Sequence, residues 1–356
     1  MDGQPTAQGR SISWMLGGGL PAERLELAPV DGASVTLRTV TREDQARWRE
    51  KRKSRMSGYG ALGDEGDLRE RSYVYLPIPE WLLDCCTACV EVSRSVELTV
   101  MPPDDELTEA AFRATGANAL DSASTACVDL LRLLPVPTSI QVPVTELVVV
   151  VTDGHYTRNH RAWSTPGFRW QFAQQRWELS EADRITLVDW WRNLVAGPNQ
   201  DAFRWPLRRF GLAQQRPFAE DRLVDLAIAL EAIFARERDP IKGTGTRMAK
   251  RANHLLNGGR LAMKVRSKRI VDAYATRSAV VHGRLPSEEE VEGAASVLET
   301  VIADALRTLL SATTHIDLAG PALPVLATSS STSPTIATSI QKGKSESTAT
   351  AAVEFE

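Results

Sequence analysis

Cysteine is scarce in this chain: Cys85, Cys86, Cys89 and Cys127 are the four present among 356 residues. So few thiols exclude a disulfide scaffold and fit a reducing compartment. No apolar run approaches a membrane span. The longest strongly apolar stretch is Leu147–Val151, against the ~20 residues a bilayer requires. The opening MDGQPTAQGR carries neither the basic start nor the apolar core of a secretory signal. A soluble cytoplasmic protein without membrane association is the expectation. Neither a P-loop string nor a GxGxxG string is present, so nucleotide hydrolysis has no support. Net charge is only -3, and any nucleic-acid surface must therefore be local. Internal repeats are absent too.

What is present reads as α+β. A hydrophobic fraction of 43% and a charged fraction of 24% are those of a globular protein, and the length suits two domains. Residues 1–20, with their glycine run, are expected to be loose, although Trp14 and Met15 could dock. Ala33–Val40 alternates and is β-branched, as a strand does. Arg42–Arg55 holds helix formers and a basic cluster. Tyr73–Ile78 reads as a strand, Trp81–Val92 as a helix and Ser95–Val100 as a strand. A helix over Leu120–Leu134 precedes a buried strand, Glu146–Thr152, closed by Asp153-Gly154. Residues 21–175 thus form a mixed α/β module of unassigned role, suited to sensing a trigger or partner.

From Ser180 the pattern turns helical. Ser180 with Asp183 caps a helix that Gly197-Pro198 ends. Further helices are expected over Asp201–Gln214, Pro217–Phe234, Thr246–Leu256 and Leu261–His282. The last, Glu288–Leu310, opens with the capping box Ser287/Glu290. Residues 180–319 are therefore an all-α bundle. From residue 320 few large apolar side chains remain among Ser, Thr and Ala, so a disordered tail over 320–356 is expected.

Two helices of this bundle carry a charge on an apolar stripe. At about 100° per residue, Glu231 falls inside the arc of Leu223, Ala227, Leu230 and Phe234, while Asp225 projects to the far, solvated side. On the later helix, Arg277 shares a face with Ile270, Tyr274 and Val281. Burying either charge alone costs several kcal/mol, so a Glu231–Arg277 ion pair is one expectation. Such a pair can be purely structural, or it can orient a working arginine. His282 follows at the helix end, where Gly283 can adopt the left-handed turn. A histidine there suits the helix dipole, yet its surroundings invite a second explanation. Between Ile241 and Val271 lie nine basic residues and no acidic one: Lys242, Arg247, Lys250, Arg251, Arg260, Lys264, Arg266, Lys268 and Arg269. A basic segment attracts phosphate. Histidine can take a proton from a ribose 2′-hydroxyl, and arginine can stabilise charge developing on phosphorus.

The stretches DRLVDLAIALEAIF (Asp221–Phe234), RMAKRANHLL (Arg247–Leu256) and RIVDAYATRSAVVHG (Arg269–Gly283) resemble the Apea-like branch of the HEPN superfamily. That family is made of helical bundles with an Arg, four to six residues, then His near a helix end. Here SAVV separates Arg277 from His282, and the resemblance covers about 216–310. It implies a metal-independent endoribonuclease without a cofactor, acting on RNA and leaving a 2′,3′-cyclic phosphate, often in antiphage defence or toxin-like systems. By position Arg277 and His282 would be the active pair. Ser278 would support them, standing where many members carry Asn, Asp or His, and Glu231 would orient Arg277. Other members have lost catalysis and serve as RNA-binding or dimerisation modules, a role Ser278 also allows. The motif holds one histidine per chain, which gives a base but no acid. A two-fold homodimer through the helices at 261–310 would supply both.

Weaker signals remain. Cys85, Cys86 and Cys89 have no CxxC partner downstream, so small buried residues are expected rather than zinc ligands. His155 and His160 flank Tyr156 in a loop. Arg47–Arg55 mixes Trp48 with six basic residues, a solvated helix face or an RNA contact.

Overall fold

The computed structural model describes residues 6–16, 18–20, 24–46, 49, 85–98, 107–135, 140, 142, 144–152, 158–164, 177–236, 243–284 and 286–318. The chain up to Leu318 is one compact unit. Its elements, in order, are β1 (Thr6–Leu16), β2 (Gly18–Gly19), β3 (Arg24–Val30), β4 (Ala33–Thr39), β5 (Cys86–Glu97), α1 (Leu107–Thr115), α2 (Ala117–Leu131), β6 (Val144–Thr152), β7 (Arg158–Ser164) and β8 (Trp177–Glu178), followed by α3 (Glu181–Ala196), α4 (Gln200–Ala213), α5 (Ala219–Phe234), α6 (Thr244–Leu256), α7 (Arg260–Val281) and α8 (Glu288–Ser311). Strands run in the order β3-β4-β5-β1-β6-β7, and every pairing in that sheet is antiparallel. The expected strand at Tyr73–Ile78, the turn Asp153-Gly154 and the tail from residue 320 lie outside the described residues.

Two expectations are overturned. Thr6–Leu16 is not loose; it is β1, paired along its length to β5 and over Thr6–Trp14 to β6. Its small residues hide it from a hydrophobicity reading. Gly9, Ser11 and Ser13 are buried. A Cβ on Gly9 would lie 2.8 Å from Thr115 Cβ and 2.9 Å from Leu120 Cδ1, so glycine lets the helices approach. Ser13 Oγ shares a hydrogen bond with Ser124 Oγ of α2 at 2.8 Å. Nor is the described part of Trp81–Val92 a helix. From Cys86 it is β5, between β1 and β4. Ala88, Val90 and Val92 join the main core while Cys86 and Cys89 join Ile12, Trp14 and Leu16 in a separate cluster. Ala88, Cys89 and Val90 are buried in succession, which masks the alternation at the start of the strand, and β-branched valines favour the pleat. The strand expected from Ser95 is this strand's end.

The cysteine expectation splits accordingly: Cys86 and Cys89 are buried, on a strand. Arg38, from β4, bridges Asp44 (2.5 Å) and Glu91 (2.9 Å), and holds the Asp44 carboxyl well below its usual range despite burial. Thr41 and Asp44 cap each other, opening the helical turn at 42–46. The rest of the basic run to Arg55, Arg49 apart, lies outside the described residues.

The helical part follows the sequence closely. Ser180/Asp183 and Ser287/Glu290 both form capping boxes, and Gly197 closes α3. One apolar core runs from β4 and β5 through α2 into α5 and α8. Side chains also stitch the two parts together. Trp191 Nε1 donates to the Ala28 carbonyl at 2.7 Å and Arg307 Nε to that of Leu133 at 2.8 Å. Among the described residues no helix is long and apolar enough to cross a membrane.

Candidate functional site

Helix α5 packs against α4, α6, α7 and α8. A helix surrounded this way has no single solvated face, which overturns the placement of Asp225. It is 3% exposed and accepts from Arg216 Nε at 2.6 Å and Arg209 Nη1 at 3.1 Å. Glu231, expected inside the apolar arc, instead sits at its edge and faces α7. There the Tyr274 hydroxyl donates to Glu231 Oε1 at 2.6 Å, and Arg277 Nη2 lies 3.8 Å from the same oxygen. The expected Glu231–Arg277 pair therefore exists as a long contact, with Tyr274 making the short one. The Arg277 guanidinium also lies 5.7 Å from the Tyr274 ring centroid. Burial, then the bond to Glu231, pushes the Tyr274 phenol up to about 12.

The stripe on α7 leaves the core as it runs. Ile270 and Ala273 are buried, Tyr274 and Arg277 are half-buried, and Val281 is exposed. Arg277 keeps 23% of its side chain in solvent and Glu231 30%, so neither is sealed. Arg277 Nε is buried without a hydrogen bond. This leaves the guanidinium anchored on one side and open on another.

His282 is exposed and occupies the C-cap of α7. Its N–H donates to the Ser278 carbonyl at 3.1 Å, Gly283 N–H to Val280 at 3.1 Å and Arg284 N–H to Ala279 at 2.9 Å. This is a Schellman turn, and Gly283 supplies the positive φ of 73° that it demands. The histidine is thus held by its backbone at a fixed helix end with its ring in solvent. Ser278 is half-exposed on the same helix.

The basic segment divides by role. Lys250, Lys264 and Arg269 are exposed. Arg251 Nη1 donates to the Phe234 carbonyl at 2.7 Å, at the end of α5. Arg266 binds Asn253 Oδ1 and the Asn257 carbonyl, both at 3.1 Å, and so ties α7 to α6. Arg247 is half-buried, with Nη2 3.4 Å from Thr244 Oγ1. Lys268 pairs with Asp272 at 2.8 Å in solvent, a contact worth little. Lys242 and His155 lie outside the described residues, and His160 is on β7 rather than in a loop. Among the described residues no group of three or more His, Cys, Asp or Glu is placed to hold a metal.

Sequence reasoning missed Tyr274 as a polar member of the site. The signal was present: a phenol three residues before Arg277 shares its helix face, and a half-buried phenol seeks a partner for its hydroxyl. No family model, curated protein or solved structure matches the chain.

Proposed function

We propose that this protein is a metal-independent endoribonuclease of HEPN type, with an N-terminal sheet region that recognises a trigger or target. The observation that carries this reading is the pairing of a half-exposed, anchored Arg277 with an exposed His282 five residues on, at a helix end fixed by the Gly283 turn. Arg277 would stabilise charge on the phosphate. His282 would accept the 2′-hydroxyl proton, leaving a cyclic phosphate. Glu231 and Tyr274 act as positioning residues for the guanidinium, and Ser278 lies beside it on the chain. Lys250, Lys264 and Arg269, all exposed, offer positive charge to an RNA backbone.

A second copy of the chain would bring the second histidine that in-line cleavage uses as its acid. Leu261 and Val265, 76% and 44% exposed on neighbouring turns of α7, favour such a contact.

The test is RNA incubated in EDTA with wild type, His282→Ala and Arg277→Ala. Cleavage by wild type, lost by at least about 100-fold in either variant at unchanged melting temperature, is the expected result. Binding without cleavage in wild type would instead assign a non-catalytic scaffold. Light scattering should show a dimer; a monomer that still cuts RNA would remove the two-fold site.

A further inference from the structure

A second stretch of the chain is basic without acids, and it lies outside the segment that leads to Arg277. From Ala202 to Ala219 there are four arginines, Arg204, Arg208, Arg209 and Arg216, and no Asp or Glu. The stretch covers most of α4 and the turn into α5. Phe203, Leu207 and Phe210 form the buried side of α4. Trp205 instead stands outward, 54% exposed. At about 100° per residue, Arg204 and Arg208 fall on one side of it and Arg209 on the other.

Buried carboxylates hold these arginines from beneath. Asp225 of α5 accepts from Arg209 Nη1 at 3.1 Å and from Arg216 Nε at 2.6 Å. Held there, the Arg209 guanidinium lies over the Trp205 ring, with its Cζ 4.6 Å from the centroid. A ring covered on one face and still more than half exposed leaves its other face to solvent. Asp129 of α2 is shared in the same way, 2.9 Å from Arg132 Nη1 and 3.7 Å from Arg208 Nη1. Arg204 is exposed, beside the neutral Gln200 Oε1 at 3.4 Å. Around the indole, then, guanidiniums face solvent while their carboxylates lie inside. Surface acids stand at the margins, with Asp201 one turn before Trp205 and Asp221 near Arg216.

The centre of a protein–protein interface is apolar and depleted of charge, which an indole set among guanidiniums is not. Single-stranded nucleic acid fits it better: a base stacks on the open ring face while arginines take the flanking phosphates. A duplex cannot use the ring, because its base faces are already stacked on one another. We propose that Trp205, backed by Arg209 and flanked by Arg204 and Arg208, is a stacking site for an unpaired base of single-stranded RNA. That the ligand is RNA rests on the proposed function. The surface itself lies on α4, whereas Arg277 and His282 belong to α7 and its end.

Fluorescence anisotropy tests it with a labelled 2′-O-methyl oligouridylate, which lacks the attacking hydroxyl and so reports binding without cleavage. A blunt RNA duplex of equal length is the control. Trp205→Ala should weaken oligouridylate binding by at least about fivefold, the loss of one stacked base, and leave duplex binding unchanged. Trp205→Phe should keep most of the affinity. Arg204→Gln should lower the slope of log affinity against log salt by about 0.7, one phosphate contact of a single strand. Both positions are exposed, so the variants should melt as wild type does. Oligouridylate binding unchanged in Trp205→Ala, an equal loss in Trp205→Phe, or equal losses for strand and duplex would each overturn the site. No saturable oligouridylate binding by wild type would overturn it too, and would leave this face to an acidic protein. Binding that needs Trp205, in a protein that does not cut RNA, would uphold this surface and remove the catalytic reading. Cleavage lost in His282→Ala beside binding indifferent to Trp205 would do the reverse.

Discussion

Gly211 and Gly293 show how one methyl group can act in opposite directions in the same bundle. At Gly211 the added carbon would meet Asp129 Oδ1 at 1.8 Å and Cγ at 2.2 Å. Either α4 moves or the carboxylate leaves Arg132, and separating a buried pair costs about 3–5 kcal/mol. Gly211→Ala should therefore lower stability in urea by about that amount. Around Gly293, in α8, nothing lies within 4 Å of the new carbon. Gly293→Ala should raise stability by about 0.5–1 kcal/mol, because alanine has less backbone entropy to lose in a helix. Tyr274 sets a third test at this scale. Its phenol is pushed up to about 12, first by burial and then by donating to Glu231. Ultraviolet titration should show one tyrosine ionising about two pH units above the ordinary value of ~10, and Tyr274→Phe should remove that step. If Glu231 and Tyr274 position Arg277, the same substitution should slow RNA cleavage while leaving His282 in place. Unchanged cleavage would assign them a structural role alone.

Among the elements, capping chemistry was the most legible part of the sequence. Ser180/Asp183 and Ser287/Glu290 are local devices, and both form as their spacing dictates. Ser287→Ala should cost about 1 kcal/mol, read as a lower melting temperature. The Schellman turn after α7 was legible for the same reason: Gly283 follows the last helical turn directly. Less legible were elements whose surroundings come from distant sequence. β1 is rich in Gly and Ser because α1 and α2 press against it, and a local hydrophobicity pattern contains no trace of that pressure. β5 buries Ala88, Cys89 and Val90 in succession, so its start lacks the alternation that marks a half-buried strand, which Val90 and Val92 against Glu91 and Ser93 show only beyond it. Asp225 failed for a related reason, since one apolar arc was assumed on a helix with neighbours on several sides. Of the candidate site, Arg277 and Glu231 were singled out from helical spacing and His282 and Gly283 from their place at the helix end, whereas the Tyr274 bond depends on where α5 meets α7. Asp129 and Arg132 went unnoticed although they stand three residues apart on a buried helix, a spacing that lets an ion pair close within one turn.

At the scale of the whole molecule, the sheet and the helices share one apolar core, and Asp129 sits where they meet, beside Arg132 and against the backbone of α4. Unfolding should therefore be a single transition reported alike by fluorescence and circular dichroism. Its pH dependence follows from the same carboxyl. Burial raises Asp129 to about 6, outweighing the arginines that lower it; in the unfolded chain it returns to about 3.9. Between those values the folded state holds the proton more tightly. The stabilisation from this group is then fully present below the unfolded pKa and is lost as pH rises through about 6. Asp121, also raised by burial, acts in the same direction. Asp44 acts oppositely, but its carboxyl is held below the usual range, so its stabilisation is complete above about pH 4 and fades only under stronger acid. In the window from pH 5 to 7.5 the two raised carboxyls govern. Urea unfolding should accordingly give a higher stability at pH 5 than at pH 7.5, by on the order of 2 kcal/mol. Asp129→Asn should flatten most of that slope, and Asp121→Asn part of it. A wild-type stability that instead rises from pH 5 to 7.5 would mean that Arg132 and Arg208 hold Asp129 ionised at both ends of the range.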